Sequence, residues 1–221
     1  DRPESFAGIP ATVEYISSER WREWAGPSAF NHRRKILALR YAMEKYSTPT
    51  ILLDADTWLR KSPLEIFKRV SPGRSLMHIR EARICDIATP QGYAIAEFLR
   101  KESFREKSGK VLNVPVETAM WNAGVVGLDP ADRHLLEDVL YLTDQFCMKS
   151  SLHILEQTAF SYLLAQRTKL QEASDSVFHY WPPYLHVPFK GKLPTIMEAM
   201  MRLSLEEKCS YAYAMRRSEE H

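Results

Sequence analysis

The chain has 221 residues, of which 45% are hydrophobic and 26% are charged, a composition typical of a globular protein with a sizeable core. The formal net charge of +2 provides no strongly basic field, so we expect no binding to nucleic acid. No apolar run approaches the roughly 20 residues of a transmembrane helix, so we expect no membrane span. The three cysteines, Cys85, Cys147 and Cys209, are far apart, which predicts reduced thiols and a cytoplasmic location.

Predicted helices and strands alternate along the sequence, which favours a single α/β domain over residues 1–221. In chain order we predict a strand at 11–16, a short helix after Ser18, a helix at 31–46, a strand at 51–53, a helix at 63–69, a strand at 75–79, a helix at 92–106, a strand at 125–128, helices at 130–145 and 153–164, a strand at 177–180 and a helix at 194–215. Segment 51–53 consists of large aliphatic residues only, as in a buried parallel strand.

Two carboxylates, Asp54 and Asp56, follow this apolar strand. Because side chains alternate along a strand, we expect both on the same side, at the carboxyl end where open α/β sheets hold ligands. Such oxygen ligands suit a hard divalent cation, Mg²⁺ or Mn²⁺, which would in turn bind a diphosphate. A turn or helix cap is an equally good interpretation, because aspartate is common at both and the D-x-D pattern is short.

Two other polar residues lie beside apolar segments. Lys35 is at the edge of the apolar stripe of helix 31–46, where it either extends its charge to water or meets a phosphate. Asn122 precedes Ala123, Gly124 and the strand predicted at 125–128. Its amide suits a sugar hydroxyl, and glycine permits close approach of a ligand, whereas the alternative is a bulge or turn.

Taken together, five segments resemble those of GT-A-fold glycosyltransferases that use a nucleotide-diphospho-sugar, most of all glycosyltransferase family 8 and its neighbours. The segments are Arg34-Lys35-Ile36, Leu52-Leu53-Asp54-Ala55-Asp56-Thr57, Trp121-Asn122-Ala123-Gly124-Val125, Glu156-Gln157 and His179. Their order and spacing are more specific than any one motif. The resemblance implies a GT-A, Rossmann-like α/β fold with a mixed, mostly parallel sheet flanked by helices.

The resemblance also implies a metal site. Asp54, Ala55 and Asp56 would form the D-x-D motif, and both carboxylates would bind Mn²⁺ or Mg²⁺. His179 is similar to the late histidine that completes the metal shell in such enzymes. The sequence departs from the family after this histidine, where Trp181-Pro182-Pro183 replaces the usual glycine and Lys-Pro-Trp, so His186 is an alternative ligand.

Further roles follow from the same resemblance. The residues implied in donor binding and catalysis are Arg34 and Lys35 on the donor's phosphates or sugar, Asn122 on the donor sugar or acceptor, Gln157 near the anomeric carbon with Glu156 before it, and Lys190 on the departing diphosphate. Segment 1–4 is similar to the part of the fold that follows its second strand, so a first strand would precede residue 1. A location in the Golgi lumen would follow if a membrane anchor also precedes it.

The implied reaction moves a sugar from a nucleotide-diphospho-sugar, with a UDP-sugar preferred, to a hydroxyl of a glycan, lipid or protein, with retention of the anomeric configuration. Inversion would need a carboxylate base, for which Glu156 and Glu117 are the candidates. The alternatives are a nucleotidyltransferase, a non-catalytic binding module on the same fold, and a haloacid-dehalogenase-type phosphatase. The phosphatase pattern has threonine two residues after its second aspartate, where this chain has Trp58.

Overall fold

The computed structural model describes residues 10–181, 183–208 and 210–211, except for the side chains of residues 183–190 and 193. The chain falls into two compact units, one of residues 18–179 and one of residues 1–17 with 180–221, and each is described by itself. The single domain expected for residues 1–221 stays a prediction. In the second unit, residues 10–17 form neither helix nor strand, so the strand predicted at 11–16 is wrong. Tyr15 is 75% exposed there, so the segment lacks the buried face that a strand needs.

Helices and strands alternate for much of the described chain. The α-helices are Ser18–Ala25 (α1), Arg33–Tyr46 (α2), Pro63–Phe67 (α3), Pro90–Lys101 (α4), His134–Lys149 (α5), Leu155–Arg167 (α6) and Pro183–Met201 (α7). The strands are Thr50–Leu53 (β1), Thr57–Leu59 (β2), Arg74–Met77 (β3), Arg80–Arg83 (β4), Phe104–Arg105 (β5), Val111–Leu112 (β6), Ala119–Trp121 (β7), Val125–Leu128 (β8), Lys169–Glu172 (β9) and Val177–His179 (β10). None of the described helices combines the length and the apolar character needed to cross a membrane.

Four strands of the unit 18–179 form a mixed sheet in the order β1-β8-β3-β9. β8 is antiparallel to both of its neighbours, and β3 is parallel to β9. The expected mixed sheet flanked by helices is therefore confirmed, whereas the expectation of a mostly parallel sheet is wrong for the described strands. β1, predicted as a buried parallel strand, pairs antiparallel with β8. It is the outer strand of this described sheet, and Leu53 is 39% exposed.

Adjacent residues of β3 and β8 point to opposite faces of the sheet and build a hydrophobic core on each. Met77 and Val126 belong to the larger core, to which α2, α4, α5 and α6 contribute buried residues. Leu76 and Val125 belong to a smaller core together with Ile66 of α3. Apolar residues pack against both faces of β8, so the turn at residues 123–124, which directly precedes this strand, has a fixed position.

Several predicted elements are confirmed with shifts of a few residues, but the helix predicted at 92–106 ends at Lys101. The chain then turns so that Phe104 enters the larger core, where its ring meets Phe146 with centroids 4.6 Å apart. Burial of an aromatic ring stabilises this turn more than further helical residues would. The helix predicted at 194–215 instead begins at Pro183, and its main segment ends at Met201.

Candidate metal centre

One short turn and one strand end bring together the three predicted metal ligands. Asp54 follows β1, Asp56 lies in the turn between β1 and β2, and His179 ends β10, which pairs with β2. One ligand atom from each of the three lies within 4.8 Å of the other two. Asp54 and Asp56 lie in a turn and not in a strand, so the expectation from strand alternation is wrong about why they are close. The Thr57 hydroxyl donates a hydrogen bond to the Asp54 carbonyl oxygen over 2.7 Å, which closes the turn that carries both.

Asn122 determines which nitrogen of His179 carries the proton. The Oδ1 atom of Asn122 accepts the Gly124 N–H over 2.9 Å, so its amide oxygen faces the imidazole. His179 Nδ1 lies 2.9 Å from the same oxygen and must donate to it. In the neutral ring, Nε2 therefore carries a lone pair, and it faces Asp56 Oδ1 at 3.0 Å. Two acceptors that face each other at this distance are the arrangement that a shared cation stabilises.

Burial lowers the pKa of His179, although the nearby Asp56 and Asp54 carboxylates oppose this shift. The neutral ring is the form that binds a metal ion. Gly124 makes room for this ring, because a Cβ atom at position 124 would lie 2.2 Å from Nδ1 of His179. The position of the His179 ring therefore requires glycine at position 124. Ala123 and Gly124 form a turn, and Asn122, which precedes them without a left-handed backbone, contacts a candidate ligand.

Lys35 lies between two acidic groups. Its Nζ atom is 2.6 Å from Asp54 Oδ2 and 3.9 Å from Glu156 Oε1. Glu156 is only 3% exposed, and its Oε2 atom has no hydrogen-bond partner in the described part of the chain. Burial raises the pKa of Glu156 to about 7, against the opposing effect of Lys35. Lys35 is thus held at the candidate metal ligands by its charge, while its contact with a phosphate stays a prediction.

A cavity of about 310 Å³ adjoins these groups, and Lys35, Asp54 and Ala55 are part of its wall. Arg34 lines it as well, with its guanidinium carbon 4.6 Å from the centre of the Trp21 ring. Arg34 Nε also donates to the Trp21 carbonyl oxygen over 2.8 Å. The cavity therefore has two cationic side chains in its wall beside Asp54, one of the three candidate ligands.

Gln157 and Asn122 converge on a carboxylate that the sequence did not indicate, that of Glu81 in β4. Gln157 Nε2 donates to Glu81 Oε2 over 3.3 Å, and Asn122 Nδ2 donates to Glu81 Oε1 over 3.4 Å. Gln157 Oε1 accepts the Ala123 N–H over 3.4 Å. The predicted Gln157 and Asn122 therefore belong to one hydrogen-bonded group, which touches the candidate ligands through His179.

The remaining expected residues are separate from this group. Glu156 is buried and contacts Lys35, and its expected catalytic role stays a prediction. Glu117 is exposed. The side chains of His186 and Lys190 lie outside the described residues, so both assignments stay predictions.

Compared with family models, with curated proteins and with solved structures, the chain gives no match in any of the three comparisons. The described residues bring together two carboxylates, an imidazole, a lysine and an amide–carboxylate group. Of these groups, Lys35 and Asp54 also line the cavity.

Proposed function

We propose that the chain is a metal-dependent glycosyltransferase on a GT-A-like fold, which moves a sugar from a nucleotide-diphospho-sugar to an acceptor hydroxyl. The observation that supports this most is the convergence of Asp54, Asp56 and His179, with Asn122 holding the imidazole so that Nε2 faces the carboxylates. Two oxygen ligands and one nitrogen ligand suit Mn²⁺ better than Mg²⁺, which prefers oxygen throughout. A UDP-sugar is the first donor to test.

When bound, the ion would supply Lewis-acid stabilisation of the negative charge on the departing diphosphate. The protein's own contribution is a set of preorganised charges and dipoles. Lys35, held between Asp54 and Glu156, adds a fixed positive charge, and Arg34 adds a second along the same cavity. Gln157, held by Glu81 and by the Ala123 N–H, offers an ordered amide to the transferred sugar. Retention at the anomeric carbon follows from the resemblance.

One observation favours the alternative of a non-catalytic module that binds a sugar nucleotide. The Lys35 ammonium lies 2.6 Å from Asp54 and neutralises the charge of this carboxylate. A module that works in this way would bind its ligand through Lys35 and Arg34, would not need Mn²⁺ and would release no nucleotide.

Thermal unfolding of the wild-type chain with UDP-glucose, UDP-galactose and GDP-mannose, each with and without Mn²⁺, separates these functions. At a ligand concentration 100 times Kd, binding stabilises the folded state by about 2.7 kcal/mol, which gives a measurable shift in Tm. We expect a shift that requires Mn²⁺ in the wild type and disappears in Asp56→Asn. The matched control is Asp138→Asn, a half-buried aspartate outside the metal centre, which should behave as the wild type.

Two results would contradict the proposal in different ways. A donor-dependent shift that needs no Mn²⁺ and survives Asp56→Asn supports the binding module. No shift with any donor or with Mn²⁺ alone rejects a metal-dependent donor site. Nucleotide release and NMR of the anomeric product then test the transfer and its stereochemistry.

A further inference from the structure

Glu81 lies at the centre of the amide–carboxylate group, although it belongs to a charged segment, Arg80–Arg83. Its two oxygens accept hydrogen bonds from the side-chain amides of Asn122 and Gln157 over 3.4 and 3.3 Å. Both distances exceed those of the usual N–H···O bond, so the contacts are weak. A carboxylate offers about four acceptor positions, and only two are used here. Glu81 therefore has capacity for a hydrogen-bond donor from a ligand.

The charge of Glu81 is not balanced by the surrounding described residues. Among the described side chains, neither an ion pair nor a hydrogen bond links its carboxylate to a cation, and both of its side-chain partners are neutral amides. Burial raises the pKa of Glu81, against the opposing effects of Asn122 and Gln157. A half-buried carboxylate of this kind gains from a donor group, and it is a stronger base than an exposed one.

The groups that face Glu81 do not titrate near neutral pH. The turn after β7 presents Asn122, and α6 presents Gln157. The titratable His179 contacts the Oδ1 side of Asn122, and Glu156, beside Gln157, contacts Lys35. Along β4, Arg83 is paired with Asp86, and Arg80 is exposed. An ionisation of Glu81 is therefore separable from those of its neighbours.

We propose that Glu81 accepts the hydrogen bond of the acceptor hydroxyl and takes up its proton during glycosyl transfer. This assignment rests on the proposed transfer reaction and adds the residue that the sequence did not identify. It predicts inversion at the anomeric carbon in place of the retention that the resemblance implies, because direct displacement by the acceptor uses a carboxylate base. As the acceptor oxygen bonds to the anomeric carbon, its O–H bond breaks and the proton goes to the Glu81 carboxylate. The bond between the anomeric carbon and the diphosphate breaks, and the electron pair leaves with the diphosphate. Glu156 is 3% exposed and contacts Lys35, so its carboxylate has little access to an acceptor hydroxyl.

The test measures nucleotide release from UDP-glucose and UDP-galactose as a function of pH, with Mn²⁺ present and water as the acceptor. Glu81→Gln preserves the shape of the side chain and removes the base, so we expect the plateau rate to fall about 100-fold or more. With Mn²⁺ saturating at every pH, the wild type should lose activity at low pH as Glu81 is protonated, and the variant should lack this decline. Donor affinity by calorimetry should change by no more than about twofold, since the donor's binding groups are intact.

Two variants complete the experiment. Glu19→Gln changes an exposed glutamate and should leave the rate and its pH profile unchanged. Glu81→Asp keeps a titratable carboxylate and should retain the decline at low pH at a reduced rate, which also covers the case in which Glu81→Gln fails to fold.

The possible failures are distinguishable. A wild type with no Mn²⁺-dependent nucleotide release contradicts the proposed function itself. A wild type that releases nucleotide, together with a Glu81→Gln variant of equal rate or with the same decline at low pH, contradicts only the role of Glu81. A variant that also loses donor affinity would make Glu81 a structural support of the site, and this outcome too overturns the assignment.

Discussion

The substitution Glu156→Gln tests how burial of the Glu156 carboxylate, next to Lys35, affects the stability of the fold. The carboxylate is 3% exposed, and its Oε1 atom lies 3.6 Å from His32 Nδ1 and 3.9 Å from Lys35 Nζ. Its Oε2 atom has no hydrogen-bond partner in the described part of the chain. Burial raises the pKa of Glu156 from 4.5 to about 7. The folded chain therefore holds a proton over a pH range in which the unfolded chain has released it.

The sign and size of the effect follow from this difference. Between about pH 4.5 and about pH 7 the folded state binds more protons than the unfolded state, so the free energy of unfolding falls as pH rises. The rise of the pKa from 4.5 to about 7 corresponds to about 3 kcal/mol. Below this range both states are protonated, and above it both are ionised, so the contribution is constant there.

Urea unfolding from about pH 5 to about pH 8 measures the effect, because glutamine does not titrate. We expect Glu156→Gln to be close to the wild type at the acidic end and more stable by up to about 3 kcal/mol at the alkaline end. Glu117→Gln, an exposed change of the same kind, should follow the wild type throughout. A stability difference that stays constant with pH would refute the reasoning. A variant that is less stable at the alkaline end would show that the Glu156–Lys35 ion pair stabilises more than the burial costs.

Two other substitutions address the position of His179. Asn122→Ala removes the acceptor for Nδ1, and we expect Mn²⁺ affinity by calorimetry to fall about 10- to 100-fold, as for other partners of metal-binding histidines. An unchanged affinity would show that the ring is held by packing alone. Gly124→Ala places a methyl group 2.2 Å from Nδ1, so we expect a loss of about 1–3 kcal/mol in urea unfolding and loss of the Mn²⁺-dependent Tm shift. Gly191→Ala, where the added methyl meets no atom within 4 Å, is the control and should retain the Mn²⁺-dependent shift.

The sequence predicted the elements whose apolar pattern reflects burial. The helix α2 has an apolar stripe, the strand β8 is a buried run without polar residues, and both lie close to their predicted positions. The strands β2, β4 and β9 could not be predicted in the same way, since each contains polar residues and three or four residues are too few for alternation to be distinguished from chance. The pairings that form these strands are set by residues far away in the sequence.

The site residues, too, were predictable where a local sequence pattern marks them and not where distant residues set their surroundings. Asp54 and Asp56 were predicted from a local pattern, and the local turn brings them together. Glu81 was missed because Arg80–Arg83 has the charged composition of an exposed loop, and only the pairing of β4 with β7 places it opposite Asn122 and Gln157. The environment of Glu156 was also not predictable, because the exposure of neighbouring polar residues on a helix depends on what packs against it.

The register of two strand pairings brings the three candidate metal ligands together. The Asp54 N–H donates to the Gly124 carbonyl oxygen over 2.9 Å, so the antiparallel pairing of β1 with β8 holds the two turns at one edge. β10 then delivers His179 opposite Thr57. A slip of one residue would turn the imidazole to the other face of the strand. Trp58 and Phe178 oppose the slip, because these directly paired residues stack with ring centroids 4.4 Å apart and would lose this contact. An aromatic pair outside the ligand set therefore fixes the position of the third candidate ligand.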